Sequence, residues 1–474
     1  MSEQSDNSVL STLDTAPLTR RFWITITVLA LQFIFEYFDF FIVGYLVAVI
    51  GPQWKLTFGQ TSVMLLSAGV GAIIGALVFG KLADTWGRKP LIVVGTLLYA
   101  LSAGSIALIP EGSWMLFTAL RFLVGLGLGA ATTAQSALIV EFTPTRHRTI
   151  IGSAMNAPVA IGILIAAVSS ATLLNAIGWR GLAALGTFPV VIAIAIILWV
   201  PESIRWLIAN NHVERARANL AWMLKLPVDS IALPASLPQV APQAKLSELY
   251  QERTKFWFTI VIWLGTTTAI YGILLWGPTI VALLMKIPPR EAAKYFVIMG
   301  LSALVMRVPF LFLAQWYGRR FCGIVVGYVV GICLIAAAVA HASFVGTIPL
   351  FLVFLITAYA FLDAGFGNIT PYTAEMFPVR LAARGVGLSQ AANGVGKILG
   401  PLCLALIAGS SNVITPQATE AAVIPAFLFL GACALMTGVA FTFVRIETHG
   451  KPLTLRGSWE QGGGESVTSV SQGR

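Results

Sequence analysis

The chain has 474 residues, a net charge of +10, 57% hydrophobic residues and only 11% charged ones. Soluble chains carry about a quarter charged residues, so these charges are too few to coat a water-facing surface. The basic excess lies in short connectors between apolar stretches and forms no patch, which argues against nucleic acid and for Lys and Arg held on one side of a membrane.

Residues 1–19 are polar. The apolar run after them is longer than a signal h-region and holds Glu36 and Asp39, so no cleavable leader is expected. A helix needs roughly 20 apolar residues to cross the hydrocarbon core. Such runs lie near 22–50, 60–83, 91–109, 114–140, 150–175 and 181–200. A polar stretch covers 201–255, and further runs follow near 256–285, 293–316, 321–341, 348–373, 383–409 and 423–444. The expected fold is an all-α membrane protein with twelve transmembrane helices in two six-helix halves.

Alternate connectors hold most of the basic residues, among them Arg20, Arg21, Lys81, Arg88, Lys89, Arg146, Arg148, Arg205, Arg253, Arg319, Arg320, Arg380 and Arg445. The opposite set holds Lys55, Arg180, Lys286, Arg290 and Lys294. That asymmetry places both termini and the 201–255 loop in the cytoplasm. The expected organisation is an N-terminal tail over 1–21, a bundle over 22–200, a cytoplasmic linker over 201–255, a second bundle over 256–445 and a partly disordered tail over 446–474. Within the linker, 203–224 reads as short amphipathic helices on the membrane face.

The chain repeats itself. Leu82-Ala83-Asp84-Thr85-Trp86-Gly87-Arg88-Lys89 follows the second run, and Leu313-Ala314-Gln315-Trp316-Tyr317-Gly318-Arg319-Arg320 follows the eighth. Glu141-Phe142-Thr143-Pro144-Thr145-Arg146 ends the fourth run, and Glu375-Met376-Phe377-Pro378-Val379-Arg380 ends the tenth. The copies occur in the same order, which predicts a substrate site near the midplane between the halves. The second copy has Gln315 where the first has Asp84.

These motifs resemble the major facilitator superfamily over residues 20–455. Gly80 through Lys89 is similar to its loop between helices two and three, and Arg121 followed by Gly125, Gly127 and Gly129 to its fourth helix. Pro201-Glu202-Ser203-Ile204-Arg205-Trp206-Leu207 and Glu447-Thr448-His449-Gly450-Lys451 resemble sugar-porter motifs. Glu36-Tyr37-Phe38-Asp39 and Gly394 through Pro401 resemble segments of aromatic-acid:proton symporters, with the first acid changed, a Gly lost and Lys397 a departure. The resemblance implies alternating access, and it implies that Asp84, Arg88, Glu141, Arg146, Glu375 and Arg380 gate the cytoplasmic end by ion pairs between the halves. Topogenic charge alone is the other reading of that set.

Charges deep in membrane helices are costly and mark function by default. Here they are Glu36, Asp39, Arg121, Arg307, Asp363 and Lys397. Gln32, Glu36 and Asp39 share a helix face, as do Asp363, Gly367 and Thr370, and Asn393 and Lys397. Related symporters pair an acid of helix one with an arginine of helix four, so Asp39 and Arg121 are candidates for proton coupling; a static salt bridge is the alternative. Glu36 reads as a second carrier, a substrate contact or a buried neutral carboxyl. Arg307 and Lys397 suit an anion, unless Asp363 neutralises Arg307. Asp363, Gln32, Tyr271 and Asn393 complete the candidate substrate set. The aromatics Phe35, Phe38, Tyr271, Trp276, Tyr359 and Phe366 either wall a substrate or pack.

No catalytic set, metal ligand spacing or ATP-binding motif appears, and Gly125-Leu126-Gly127-Leu128-Gly129 lacks the strand a nucleotide loop requires. The four cysteines read as buried thiols. The expected function is proton-coupled symport of a small organic acid, aromatic or a related catabolite, by a monomer in the cytoplasmic membrane. It needs no cofactor beyond the proton gradient. A sugar, polyol or organic cation is the alternative substrate, and a non-transporting membrane sensor the rival class.

Overall fold

A computed structural model describes residues 9–14, 16–147, 151–152, 154–155, 157–231 and 246–448. The tail after Thr448, including the segment expected to be disordered, lies outside them.

The architecture is helical. A short α1 (Val9–Asp14) precedes α2 (Arg20–Gln53), α3 (Phe58–Trp86), α4 (Arg88–Ser105), α5 (Trp114–Phe142), α6 (Ala157–Ala184) and α7 (Pro189–Trp199). The linker forms α8 (Ile204–Ala209), α9 (Val213–Leu224) and α10 (Leu246–Gln251). Then come α11 (Arg253–Leu284), α12 (Pro289–Tyr317), α13 (Arg319–Val339), α14 (Leu350–Met376), α15 (Val379–Ile407) and α16 (Pro416–Phe443). The sequence missed one element, a two-residue hairpin of β1 (Phe344–Val345) and β2 (Ile348–Pro349) in the connector before α14.

Among the described residues, 11 stretches are long and apolar enough to cross a membrane. The fifth and sixth predicted helices fall in one of them, Ala157–Trp199, 43 residues long. Gly178 breaks that stretch with a left-handed backbone (φ 64°) inside α6, and a short 3₁₀ turn separates α6 from α7. Outward-facing apolar side chains such as Val305, Ile332 and Leu198 are largely exposed, as a lipid-facing surface requires.

Local chemistry sets the helix ends. Thr19 caps α2, Thr57 forms a capping box with Gln60 on α3, and Thr415 caps α16. The repeated Gly-Arg motif has a physical reason. Gly87 (φ 103°) and Gly318 (φ 87°) each reverse the chain in a single residue between consecutive long helices, a conformation that disfavours any side chain.

The packing pattern occurs twice. In the first part α2 packs on α6 and α7, α3 on α5, and α4 on α5 and α7. In the second, α11 packs on α15 and α16, α12 on α14, and α13 on α14 and α16. Between the parts, α2 meets α11, α3 meets α15 and α6 meets α12. The linker helices do not lie as isolated amphipathic segments. The apolar side chains of α8 and α9 share a core with Val9, Leu13 and Phe22, while Leu249 of α10 packs with Phe258 and Tyr372; Trp206 Nε1 donates to the Asp84 carbonyl (2.9 Å), and Arg205 pairs with Asp14 of α1 (2.5 Å).

Small residues set the closest crossings, since lipid gives helices little hydrophobic reason to associate. A Cβ on Gly125 would stand 2.0 Å from the Ala68 carbonyl oxygen, and one on Gly129 2.2 Å from that of Ala72. In the glycine run of the fourth predicted helix, Gly125 and Gly129 thus form the α3–α5 seam, while Gly127 faces Gly95 and Tyr99 of α4. Gly125→Val should force the two backbones apart and destabilise the fold by at least about 1–3 kcal/mol, the usual range for overpacking. Thermal unfolding in detergent against Gly152→Ala, whose Cβ would meet open space, checks it.

Candidate functional site

The deep charges resolve into separate arrangements. Arg121 is almost wholly buried on α5. Its Nη1 donates to the Asp39 carbonyl oxygen (2.9 Å) and its Nη2 to that of Phe40 (3.1 Å). The two residues are adjacent, as expected, but the guanidinium holds the α2 backbone and not the Asp39 carboxylate. Asp39 Oδ2 and Arg121 Nε are left buried without hydrogen-bond partners. Asp39 faces the 3₁₀ turn before α7, where a Cβ on Gly186 would come 3.0 Å from Asp39 Oδ1.

One turn earlier on α2, Glu36 accepts a short hydrogen bond from the Thr132 hydroxyl of α5, and its Oε2 is buried without a partner. Gln32 turns to α4, where Tyr99 donates to its Oε1 (3.4 Å). It is fully buried within the first bundle and does not line the central cavity, so its expected substrate contact is absent here.

That cavity encloses about 120 Å³ between the two parts of the chain. Tyr37 and Phe41 of α2 and Val159 and Ile163 of α6 form one wall. Trp263 and Tyr271 of α11, Arg307 of α12, Phe366, Gly367 and Thr370 of α14, and Gln390 and Asn393 of α15 form the other. Phe41 stacks on Tyr271 with ring centroids 5.7 Å apart. An apolar cavity of about 150 Å³ holds one benzene, so this space suits a single ring.

Arg307 and Asp363 meet in a bidentate pair, Nε to Oδ2 at 2.7 Å and Nη2 to Oδ1 at 3.1 Å. The neutralised alternative is therefore the one observed. The reason is desolvation: each charge, buried alone, would be far costlier than the pair. Lys397 forms no ion pair among the described residues. Its ammonium sits 5.1 Å from the Phe40 ring centroid and 5.6 Å from that of Tyr271, a cation–π arrangement within electrostatic reach of Glu36. Asn393 donates to Gln390 (3.2 Å), and its Oδ1 is unpartnered.

Sequence reasoning placed Asp363, Gly367 and Thr370 on one face, and all three line the cavity. Tyr271 and Phe366 do too. Phe35 packs on Phe38 and Phe188, and Trp276 donates to the Pro401 carbonyl, so these are structural. Tyr37, Phe41, Trp263 and Gln390 were missed. Tyr37 and Phe41 are spaced by one helical turn around the acid motif, which was the available signal; the other two carry none.

The proposed gating residues form two related clusters. Arg88 binds Asp84 (2.9 Å) and Glu141 (2.9 Å). Glu202 accepts from the backbone N–H groups of Arg88 (3.0 Å), Lys89 (3.2 Å) and Ser203 (2.8 Å). Burial pushes the Glu202 carboxyl up from its ordinary range, against these hydrogen bonds and the Arg88 charge, which pull it down. In the second copy Arg319 binds Glu375 (2.8 Å), and Glu447 accepts from the N–H groups of Arg319 (3.0 Å) and Arg320 (3.1 Å). Both sugar-porter motifs thus supply a glutamate that caps the helix after the Gly-Arg turn. These pairs stay within one part of the chain, and Glu375 pairs with Arg319; the side chain of Arg380 lies outside the described residues. Arg146 is exposed.

The profile of the "Sugar (and other) transporter" family matches residues 22–456. The chain is 27% identical over 407 residues to the niacin transporter NiaP of Acinetobacter baylyi, covering 83% of this chain and 89% of that one. It is 31% identical over 211 residues to the 4-hydroxybenzoate transporter PcaK of Pseudomonas aeruginosa, covering 44% of this chain and 47% of that one. Among solved structures, a D-xylose-proton symporter superposes with a TM-score of 0.71 at 18% identity, covering 91% of this chain and 99% of that one.

The Arg88 cluster separates a strong contact from a weak one. Asp84 is 72% exposed and Glu141 20%. Asp84→Asn should lower stability by about 1 kcal/mol or less, as for other exposed pairs. Glu141→Gln should cost about 1.5–3 kcal/mol, the range for a hydrogen bond to a charged group. Melting temperatures of the two variants in one detergent test the order.

Proposed function

The chain belongs to the sugar (and other) transporter family, and from that premise we propose proton-coupled symport of a small organic acid, aromatic or a related ring carboxylate, by alternating access. The carrying observation is the cavity walled by Phe41 and Tyr271 between the two repeats, with Lys397 just outside its lining, held against Tyr271 without a carboxylate at ion-pair distance among the described residues. The niacin and 4-hydroxybenzoate transporters among its relatives support the same class.

The 43-residue stretch Ala157–Trp199 would be about 65 Å long at 1.5 Å per residue, twice the roughly 30 Å hydrocarbon core. We read it as two crossings that turn at Gly178. The protein then has twelve helices in two six-helix halves, 22–200 and 256–445, with both termini and the 201–255 linker in the cytoplasm by the distribution of Lys and Arg.

Lys397 attracts the substrate carboxylate, and the ring lies against Phe41 and Tyr271. Asn393 and Gln390 meet polar groups on the ring, and the Arg307–Asp363 pair lines the wall as a neutral dipole. Asp39 carries the proton. In one state of the proposed cycle Arg121 holds the Asp39 carboxylate; in the other it donates to the α2 carbonyls, as described here, and the carboxyl takes the proton. Glu36, hydrogen-bonded to Thr132 and facing Lys397, takes a second proton or senses the bound anion. At the cytoplasmic end the Asp84–Arg88–Glu141 and Arg319–Glu375 clusters keep each half rigid as it rocks.

Purified protein in liposomes, offered labelled benzoate, 4-hydroxybenzoate, nicotinate, xylose and choline, should accumulate a ring carboxylate only under an inward proton gradient. Uptake indifferent to that gradient sinks the coupling. Asp39→Asn should abolish uphill accumulation while leaving counterflow exchange, because a neutral side chain mimics the proton-loaded state.

A further inference from the structure

Among the described residues, the two halves are joined by backbone pairing at one place. The α2–α3 connector runs beside the α15–α16 connector, with Thr57 opposite Val413 in an antiparallel bridge. Ile414 N donates to the Leu56 carbonyl, Phe58 N to that of Asn412 and Gly59 N to that of Ser410, each at 2.9 Å. Phe58 and Gly59 open α3, so their N–H groups have no acceptor within their own helix. The other half of the molecule supplies those acceptors. The shape of the partner loop is fixed locally: Gly409 is left-handed (φ 83°), and the Asn412 side chain donates to the Ala408 carbonyl (2.8 Å).

This seam lies at the start of α3, and the Arg88 cluster lies at its end. A helix of 29 residues at 1.5 Å per residue separates them by about 44 Å, so the seam is on the outer face in the orientation proposed above. Beneath it, Leu56, Phe58 and Ile414 are buried, the Ser62 hydroxyl donates to the Pro401 carbonyl (3.0 Å) and Trp276 Nε1 donates to the same oxygen (3.2 Å).

We infer that this cross-half strand pairing is the outer gate of the transport cycle, and that Gly59 is the residue that permits it to close. A Cβ on Gly59 would stand 2.8 Å from the Ser410 carbonyl oxygen and 3.2 Å from its Cβ. Both contacts are with the partner loop, so a side chain there opposes closure without disturbing either half alone. The latch is made of main-chain hydrogen bonds. When it opens, the freed N–H and C=O groups face water, which replaces the bonds nearly in full. Such a gate closes with directional specificity and still opens in every cycle, whereas a buried ion pair would resist opening.

The inference rests on the transport reading, and its test separates the two. The Thr57→Cys/Val413→Cys variant places thiols on facing residues, whose Cα atoms in an antiparallel pair lie about 4.5–5.5 Å apart, within the disulfide range. Oxidation in liposomes should form that disulfide, read by peptide mass spectrometry, and abolish uptake of labelled 4-hydroxybenzoate and nicotinate, with recovery on reduction. Failure of the disulfide to form, or full uptake with it formed, overturns the gate. In a Gly59→Val background, a lone Thr57→Cys should react faster with a membrane-impermeant maleimide than in the parent, with the melting temperature retained; equal rates overturn the role of Gly59. If the parent protein carries neither probe, the substrate reading fails, and the disulfide and labelling rates still decide the latch.

Discussion

A charge buried away from water must find its partner inside the protein, and the organisation of this molecule follows from how each deep charge meets that demand. Arg307 and Asp363 meet it with each other, fork to fork. Arg121 meets it with two main-chain carbonyls one residue apart. Glu36 uses a hydroxyl, and Lys397 uses two ring faces. These solutions differ in how readily they can be exchanged. A bidentate ion pair is a closed unit. Carbonyls, a hydroxyl and ring faces are weaker partners for a full charge, and each can yield to a carboxylate that arrives. The replaceable solutions all lie on or against α2, which also crosses α11 of the other half: a Cβ on Gly44 would stand 2.9 Å from the Leu274 and Leu275 carbonyl oxygens.

The duplicated clusters at the other end follow a different logic. Each Gly-Arg turn exposes the N-terminal N–H groups of the next long helix, and each is closed by a distant glutamate, Glu202 or Glu447. The glycines serve twice over. Besides the left-handed backbone, a Cβ on Gly87 or Gly318 would lie 2.3 or 2.6 Å from that glutamate's Oε2. The motif before α4 and the motif after α7 are therefore one structural unit separated in sequence, and the same holds for α13 and the segment after α16. Replacement of Asp84 by Gln315 in the second copy is tolerated because Asp84 is the exposed member of its cluster; Glu141 and Glu375 hold the arginines in both.

Much of this was legible in the sequence, for identifiable reasons. Apolar runs are long-range signals, so the spans could be read from hydropathy, and the repeat from the two recurring motif pairs. Helical spacing correctly gathered Asp363, Gly367 and Thr370 onto the cavity wall. What failed was partner choice. The family resemblance implies that Asp39 and Arg121 meet, but not that the guanidinium would turn to main-chain carbonyls, because every residue offers a carbonyl and none is marked by its side chain. Gln32, Glu36 and Asp39 share a face that turns into the first bundle, toward Tyr99, Thr132 and Gly186, while α2 lines the cavity with Tyr37 and Phe41. The aromatic wall was half found, because Tyr37 and Phe41 are indistinguishable by type from packing residues such as Phe35. The turn at Gly178 falls in the gap between the runs at 150–175 and 181–200, where Arg180 also stands.

The same blindness explains why the seam between Leu56 and Ile414 could not be anticipated. It consists of main-chain groups in two connectors about 350 residues apart, in a geometry any sequence could adopt as a bridge. Its strength must be modest for a transporter to work. If the halves were held by a contact much stronger than the difference in proton and substrate binding between the two states, no ligand could shift the balance, since a ligand moves an equilibrium only by its differential affinity. Main-chain bonds that water replaces meet that limit. In the proposed cycle the charges on α2 then have only a small imbalance to overcome, and exchange of one guanidinium between a carboxylate and two carbonyls is the step proposed to tip it.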